Sequence, residues 1–230
     1  MATAGLAFLL EPFVAFYYQW AWWSYIFAAD ALLRRWSGRS PIRDDPRGFL
    51  RLAFVSVVFW TGFEALNLRL GDWYYVMDHP ERALRWAGGF VAFATVLPGV
   101  LLTDALLAAR GWPGRIAVPR LPLGPRVDLA CALGAVVCLV LPLAWPDLFF
   151  PLVWGFVVFL VEPWNRRHAV RSFLRDLEGG DAGALVRALA AGLVCGVLWE
   201  TWNAWARTKW IYTVPGFSSI KIFEMIKVFE

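Results

Sequence analysis

Two carboxylic acids stand in long apolar runs of this chain, each at the head of the same small constellation. Glu64-x-x-Asn67 leads to Trp73-x-Tyr75, and Glu200-x-x-Asn203 leads to Trp210-x-Tyr212. A spacing of three puts each Glu and Asn on one helix face. A carboxyl roughly five to seven residues inside a membrane span lies roughly 7–10 Å deep at 1.5 Å per residue. An ionisable group costs about 2.5–3.5 kcal/mol at the membrane centre on insertion scales, and less nearer the interface. Low-dielectric surroundings favour the neutral form of an acid, and a protonated carboxyl in an aromatic pocket can act as a general acid. Glu64 and Glu200 are therefore the candidate catalytic groups. Asn67, Asn203, Trp73, Tyr75, Trp210 and Tyr212 are the candidate substrate-binding ones. A bland reading stays open beside this one: Glu and Asn would lock helices together by hydrogen bonds, and the Trp and Tyr rings would form an interfacial belt.

The pairs belong to a larger repeat. Arg34-Arg35-x-x-x-Arg39-Ser40-x-x-Arg43-Asp44 returns 132 positions later as Arg166-Arg167-x-x-x-Arg171-Ser172-x-x-Arg175-Asp176. Two matched blocks in the same order make the chain a tandem repeat. Unit A covers 1–110 with three spans, 111–147 is a linker with a spacer span, and 148–230 is unit B with two spans. The spacer restores direction, so the two units would cross the membrane in parallel. Unit B lacks the third helix of unit A. The sequence closes on the amphipathic stretch Ile220–Phe229, which suggests truncation.

The elements that must position these residues are membrane helices. With 60% hydrophobic residues, 15 Trp and 17% charged residues, the chain could not cover its apolar surface as a soluble domain. Long apolar runs without period-two alternation predict an all-α polytopic bundle rather than a barrel. Six spans are expected, over about 10–31, 50–68, 90–109, 128–145, 149–164 and 184–206, with a kink at Pro98.

With the amino terminus outside, thirteen basic residues fall in inner segments: Arg34, Arg35, Arg39, Arg43, Arg47, Arg110, Arg115, Arg120, Arg126, Arg166, Arg167, Arg171 and Arg175. Seven fall outside: Arg69, Arg82, Arg85, Arg207, Lys209, Lys221 and Lys227. The positive-inside rule favours that orientation in a bacterial cytoplasmic (inner) membrane. Arg34, Arg35, Arg166 and Arg167 are topology signals that would also suit an anionic lipid headgroup. The same clustering explains the formal charge of +4 without nucleic acid. Asp30 and Glu162 precede Arg34 and Arg166 by four, a helical ion-pair spacing. Asp104 has no well-placed partner, and His79 and His168 read as solvated loop residues. Cys131, Cys138 and Cys195 lie in apolar runs without metal-ligand spacing and read as fillers. No metal or cofactor is expected.

An acidic residue in a helix, then Trp-x-Tyr, then a Pro-bearing helix resembles the membrane repeats of carotenoid-type lycopene cyclases. The matching residues are Glu64, Trp73 and Tyr75, then Glu200, Trp210 and Tyr212. The resemblance implies three-helix units with carboxylates in the bilayer, and proton addition to a polyene to start ring closure. That family's helix after Trp-x-Tyr carries Pro-x-Glu-Glu; here the stretch is Pro98-Gly-Val-Leu-Leu-Thr-Asp104. The doubled Glu-x-x-Asn pattern is also similar to bacterial multi-pass membrane proteins of unassigned activity. Together these give an expectation: a pseudo-symmetric intramembrane acidic site that binds an isoprenoid or other lipid, with cyclase- or isomerase-like acid catalysis if it is an enzyme. Membrane lipids, and a homo-oligomer or membrane complex, are the expected partners. A proton-coupled transporter and a non-catalytic scaffold or assembly subunit are the alternatives.

Overall fold

A computed structural model describes residues 13–76, 79–124, 126–168 and 170–214. In chain order these form α1 (Tyr17–Ser37), α2 (Pro41–Asp44), α3 (Pro46–Leu70), β1 (Trp73–Val76), α4 (Arg82–Phe93), α5 (Val96–Ala109) and α6 (Arg126–Ala144). There follow α7 (Pro146–Phe149), a 3-10 turn (Phe150–Trp154), α8 (Gly155–Arg167), α9 (Phe173–Glu178), α10 (Gly183–Trp205) and β2 (Lys209–Tyr212). Five helical stretches are long and apolar enough to cross a membrane: Pro46–Leu70, Arg82–Ala109, Arg126–Ala144, Pro146–Arg167 and Gly183–Trp205. Their outward faces carry exposed Leu50, Phe54, Leu189 and Leu193, a surface that water would not tolerate and acyl chains would. The chain is a helical membrane protein.

The first expected span shifts. Residues 1–12 lie outside the described residues, and α1 runs from Tyr17 to Ser37. It is 21 residues long, but Gln19, Asp30, Arg34 and Arg35 set it apart from the five apolar stretches. The amphipathic Ile220–Phe229 also falls outside the described residues.

The expected kink appears ahead of Pro98, between Phe93 and Val96. Proline's ring clashes with the carbonyl four residues back and supplies no amide. Ser56 of α3, fully buried, enters the gap: its Oγ donates to the Phe93 carbonyl at 2.6 Å and accepts the Leu97 amide at 3.0 Å. One hydroxyl thus replaces the direct bond between residues 97 and 93.

The Asp30–Arg34 and Glu162–Arg166 ion pairs expected from helical spacing do not form. Asp30, buried, accepts the Ser40 hydroxyl at 2.6 Å and the Ile42 amide at 3.1 Å. Glu162, also buried, accepts the Ser172 hydroxyl at 2.8 Å and the Leu174 amide at 3.1 Å. Each serine also N-caps the short helix that follows, accepting the Arg43 or Arg175 amide. A buried carboxylate is better served by a hydroxyl and a fixed amide than by an arginine drawn to the headgroups. The recurring Arg-Ser-x-x-Arg-Asp block is built around that serine.

Asp104 finds remote partners instead of Arg110. Arg171 reaches its Oδ2 at 3.0 Å and Arg187 of α10 its Oδ1 at 3.0 Å. At the same end, the 111–124 segment lies along residues 177–183. The Val118 amide donates to the Gly180 carbonyl at 3.1 Å, and Asp181 accepts the Ile116 and Gly183 amides at 3.0 and 2.8 Å. The two amides hold the Asp181 carboxyl below the ordinary carboxylate range. Two apolar clusters fill the bundle. Ile26, Ala29, Leu33, Phe49 and Leu102 pack toward the arginine-rich end, and Phe63, Leu70, Trp73, Val153 and Trp210 toward the other.

Candidate functional site

The two Trp-x-Tyr segments are strands, and they pair with each other. β1 and β2 run antiparallel, with Trp73 opposite Tyr212 and Tyr75 opposite Trp210. Side chains alternate along a strand, so these four rings share one face of the ribbon.

Each strand is fixed to its helix by the asparagine. Asn67 Nδ2 donates to the Trp73 carbonyl at 2.8 Å, and its Oδ1 accepts the Asp72 amide at 2.9 Å and the Trp73 amide at 3.3 Å. Asn203 does the same for Trp210, donating to its carbonyl at 3.0 Å and accepting its amide at 3.1 Å. In the first turn Gly71 closes α3 with φ 68°, a conformation glycine adopts without strain. The second turn has no such glycine and is one residue longer. Burial pushes the Asp72 carboxyl above its ordinary range. The asparagines therefore hold backbone and aim the rings, with no bond to either glutamate in the hydrogen bonds described.

Both glutamates receive the rings so aimed. Glu64 Oε1 accepts the Tyr75 hydroxyl at 2.6 Å, the Trp60 indole N–H at 3.0 Å and the Trp73 indole N–H at 3.3 Å. Glu200 Oε1 accepts the Tyr212 hydroxyl at 2.7 Å. Three donors occupy one oxygen of Glu64, so a proton carried by this acid has to sit on Oε2. Trp60, one helical turn before Glu64, was legible as a neighbour at i−4 yet carries no repeat signal. Its counterpart, 136 residues on in the register of the two glutamates, is Gly196. The two acids thus sit in related but unequal surroundings.

One cavity of about 1270 Å³ is bounded by Glu64, Glu200 and all four ribbon rings. Trp60 and Trp199 meet across it with ring centroids 4.7 Å apart, and Trp199 meets Trp210 at 5.6 Å. Gly192 and Gly196 lie on its α10 wall, where a methyl group would meet nothing within 4 Å. Their missing side chains are part of the free volume. Exposed Leu68, Leu84 and Trp86 also bound the cavity, which opens it sideways between α3 and α4.

Other expected residues lie elsewhere. Arg34 and Arg35 are exposed on the last turn of α1. Arg166 is engaged by Glu178, Asp128 and the Leu123 carbonyl, and Arg167 by Asp128. His168 stacks on Trp164 at 3.6 Å between centroids. His79 is half-buried rather than solvated; it lies along Phe16 and lines the cavity. Cys195 meets Thr103 Oγ1 at 3.3 Å, and Thr103 in turn meets the Tyr25 hydroxyl at 2.6 Å.

No family model, curated protein or solved structure matches the chain.

Proposed function

We propose that this protein binds an isoprenoid or other lipid in the aromatic cavity, with Glu64 and Glu200 as its polar anchors or proton donors. The supporting observation is convergence: two acids, each hydrogen-bonded to a tyrosine of its own strand, open onto one large apolar space. Cavities for small ligands are usually about 300–1,000 Å³ and apolar with a few convergent polar groups. This one exceeds that range and has room for a long hydrocarbon guest. In this reading the molecule has six spans with α1 as the first, in two parallel repeats joined by α6, with the amino terminus outside. If chemistry occurs, it is acid-initiated isomerisation or cyclisation of a polyene. Proton transfer from one glutamate would form a new C–H bond and a carbocation. Indole faces would stabilise that cation, and loss of a proton to the second carboxylate would complete the step.

Occluding the cavity tests binding. Gly196→Phe places a ring in the free space while leaving the ribbon and both glutamates intact. Native protein purified from membranes should carry a polyene or prenyl lipid in its organic extract; the variant should fold and carry none. Equal loading of both would remove this reading. Acid catalysis predicts that Glu64→Gln abolishes product formation while lipid loading persists. Proton uptake into liposomes, coupled to substrate and lost in Glu200→Gln, would instead assign transport.

A further inference from the structure

The cavity is not uniformly apolar. Along α4 and α5 its wall includes Arg82, Arg85, Gly89, Ala92, Val96 and Val100, spaced at intervals of three and four, with Leu84, Trp86, Gly88 and Phe93 beside them. Arg82 to Phe93 rises about 17 Å at 1.5 Å per residue, and α5 carries the wall on beyond the kink. Two cations, both exposed, mark one end, and small and apolar residues line the rest.

Three ordinary explanations for the arginines fail. Neither belongs to any ion pair among the described residues. Cations in the first turn of a helix oppose its dipole, so they do not serve α4 itself. In the orientation proposed above, arginines that serve as topology signals gather on the inner side, and these two lie at the other end of the bundle. His79 lines the cavity beside them, and its Nδ1 accepts the Glu81 amide at 3.1 Å. The proton of the neutral ring is therefore on Nε2, which makes that nitrogen a further donor.

We infer that the ligand is an amphiphile whose phosphate-type anionic head is held by Arg82, Arg85 and His79 at the cavity mouth, with its hydrocarbon chain running inward past Gly89 and Ala92. The inference rests on the lipid-binding reading above and adds the chemistry of the head. Planar guanidinium groups match phosphate oxygens through paired N–H donors. The apolar wall beyond them selects a lipid over a free anion.

The protein's own tryptophans around the cavity report occupancy by fluorescence, so binding in detergent can be titrated with geranylgeranyl phosphate, geranylgeraniol and inorganic phosphate. The phosphate ester should bind at least about tenfold more tightly than the alcohol, the ratio expected from about 1.4 kcal/mol of charge-assisted contact. Arg82→Gln/Arg85→Gln should erase that preference and leave alcohol binding unchanged, which also shows that the variant is folded. Equal binding of ester and alcohol by the native protein would overturn the headgroup inference and leave the lipid cavity standing. Saturable inorganic phosphate binding with no gain from the prenyl chain would overturn it in favour of a free-anion site. Failure of both prenyl probes, with Gly196→Phe indistinguishable from native, would overturn the underlying reading itself.

Discussion

Ser56 contributes one hydroxyl, yet it closes two open backbone groups inside the membrane. A buried group left without a partner costs about 1–3 kcal/mol, and the bilayer core offers no water to replace it. Ser56→Ala should therefore lower stability by about 1–3 kcal/mol in denaturant titrations of the detergent-solubilised protein. No change would mean that Phe93 and Leu97 rejoin directly once the hydroxyl has gone. The kink itself was readable from Pro98, because a missing amide is a property of one residue. Its repair was not, since Ser56 lies 41 positions from Leu97 in an apolar stretch that marks it only as tolerated. The glutamates were readable for the opposite reason: an acid in an apolar run draws notice alone, and twice in register more so. What the spacing could not show is that Asn67 and Asn203 bind backbone. Three-residue spacing places Glu and Asn on one face but does not say which way each side chain turns.

At the level of elements, the carboxylate–serine link accounts for the serine that both arginine-rich blocks share. Asp30 meets Ser40 and Glu162 meets Ser172, each ten residues apart across a helix end. Helical periodicity stops at such an end, so spacing favoured the arginine four residues on and missed the serine. The strands were equally hidden. Trp-x-Tyr with two rings per motif reads as interfacial aromatic until a second copy pairs with it, and 137 residues separate the copies. Asp181 offers a test at this scale, because it ties the linker segment at Ile116 to the start of α10 at Gly183. Its carboxyl is lowered in the folded state. A lowered acid contributes stability above its unfolded value of about 3.9 and loses it as pH falls through the folded value. Native protein should accordingly be more stable than Asp181→Ala at neutral pH, with the two curves converging below about pH 4. A gap that stays constant down to the lowest pH would assign the difference to packing rather than to the ionised carboxylate.

For the whole molecule, the two ends of the bundle do different work. One end is tied by ions: Asp104 of α5 holds Arg171 and Arg187, joining the first half of the chain to the second beside the serine links. The other is tied by the aromatic ribbon and encloses the cavity. This division fixes the side of the membrane from which a ligand head would be read, and cysteine labelling can determine it. The three native cysteines are buried and should react slowly, so the background is low. Asp147→Cys places a thiol at the exposed turn after α6, on the cavity end; Arg39→Cys places one in the exposed segment after α1, on the ionic end. With the amino terminus outside, an impermeant maleimide should label position 147 in intact cells and position 39 only after permeabilisation. The reverse pattern would put the glutamates, Arg82 and Arg85 on the cytoplasmic side. The excess of cations in segments assigned as inner, thirteen against seven, would then have failed to set the topology. Labelling of both positions in intact cells would contradict alternate crossing altogether, since three spans, α3, α4–α5 and α6, separate the two positions.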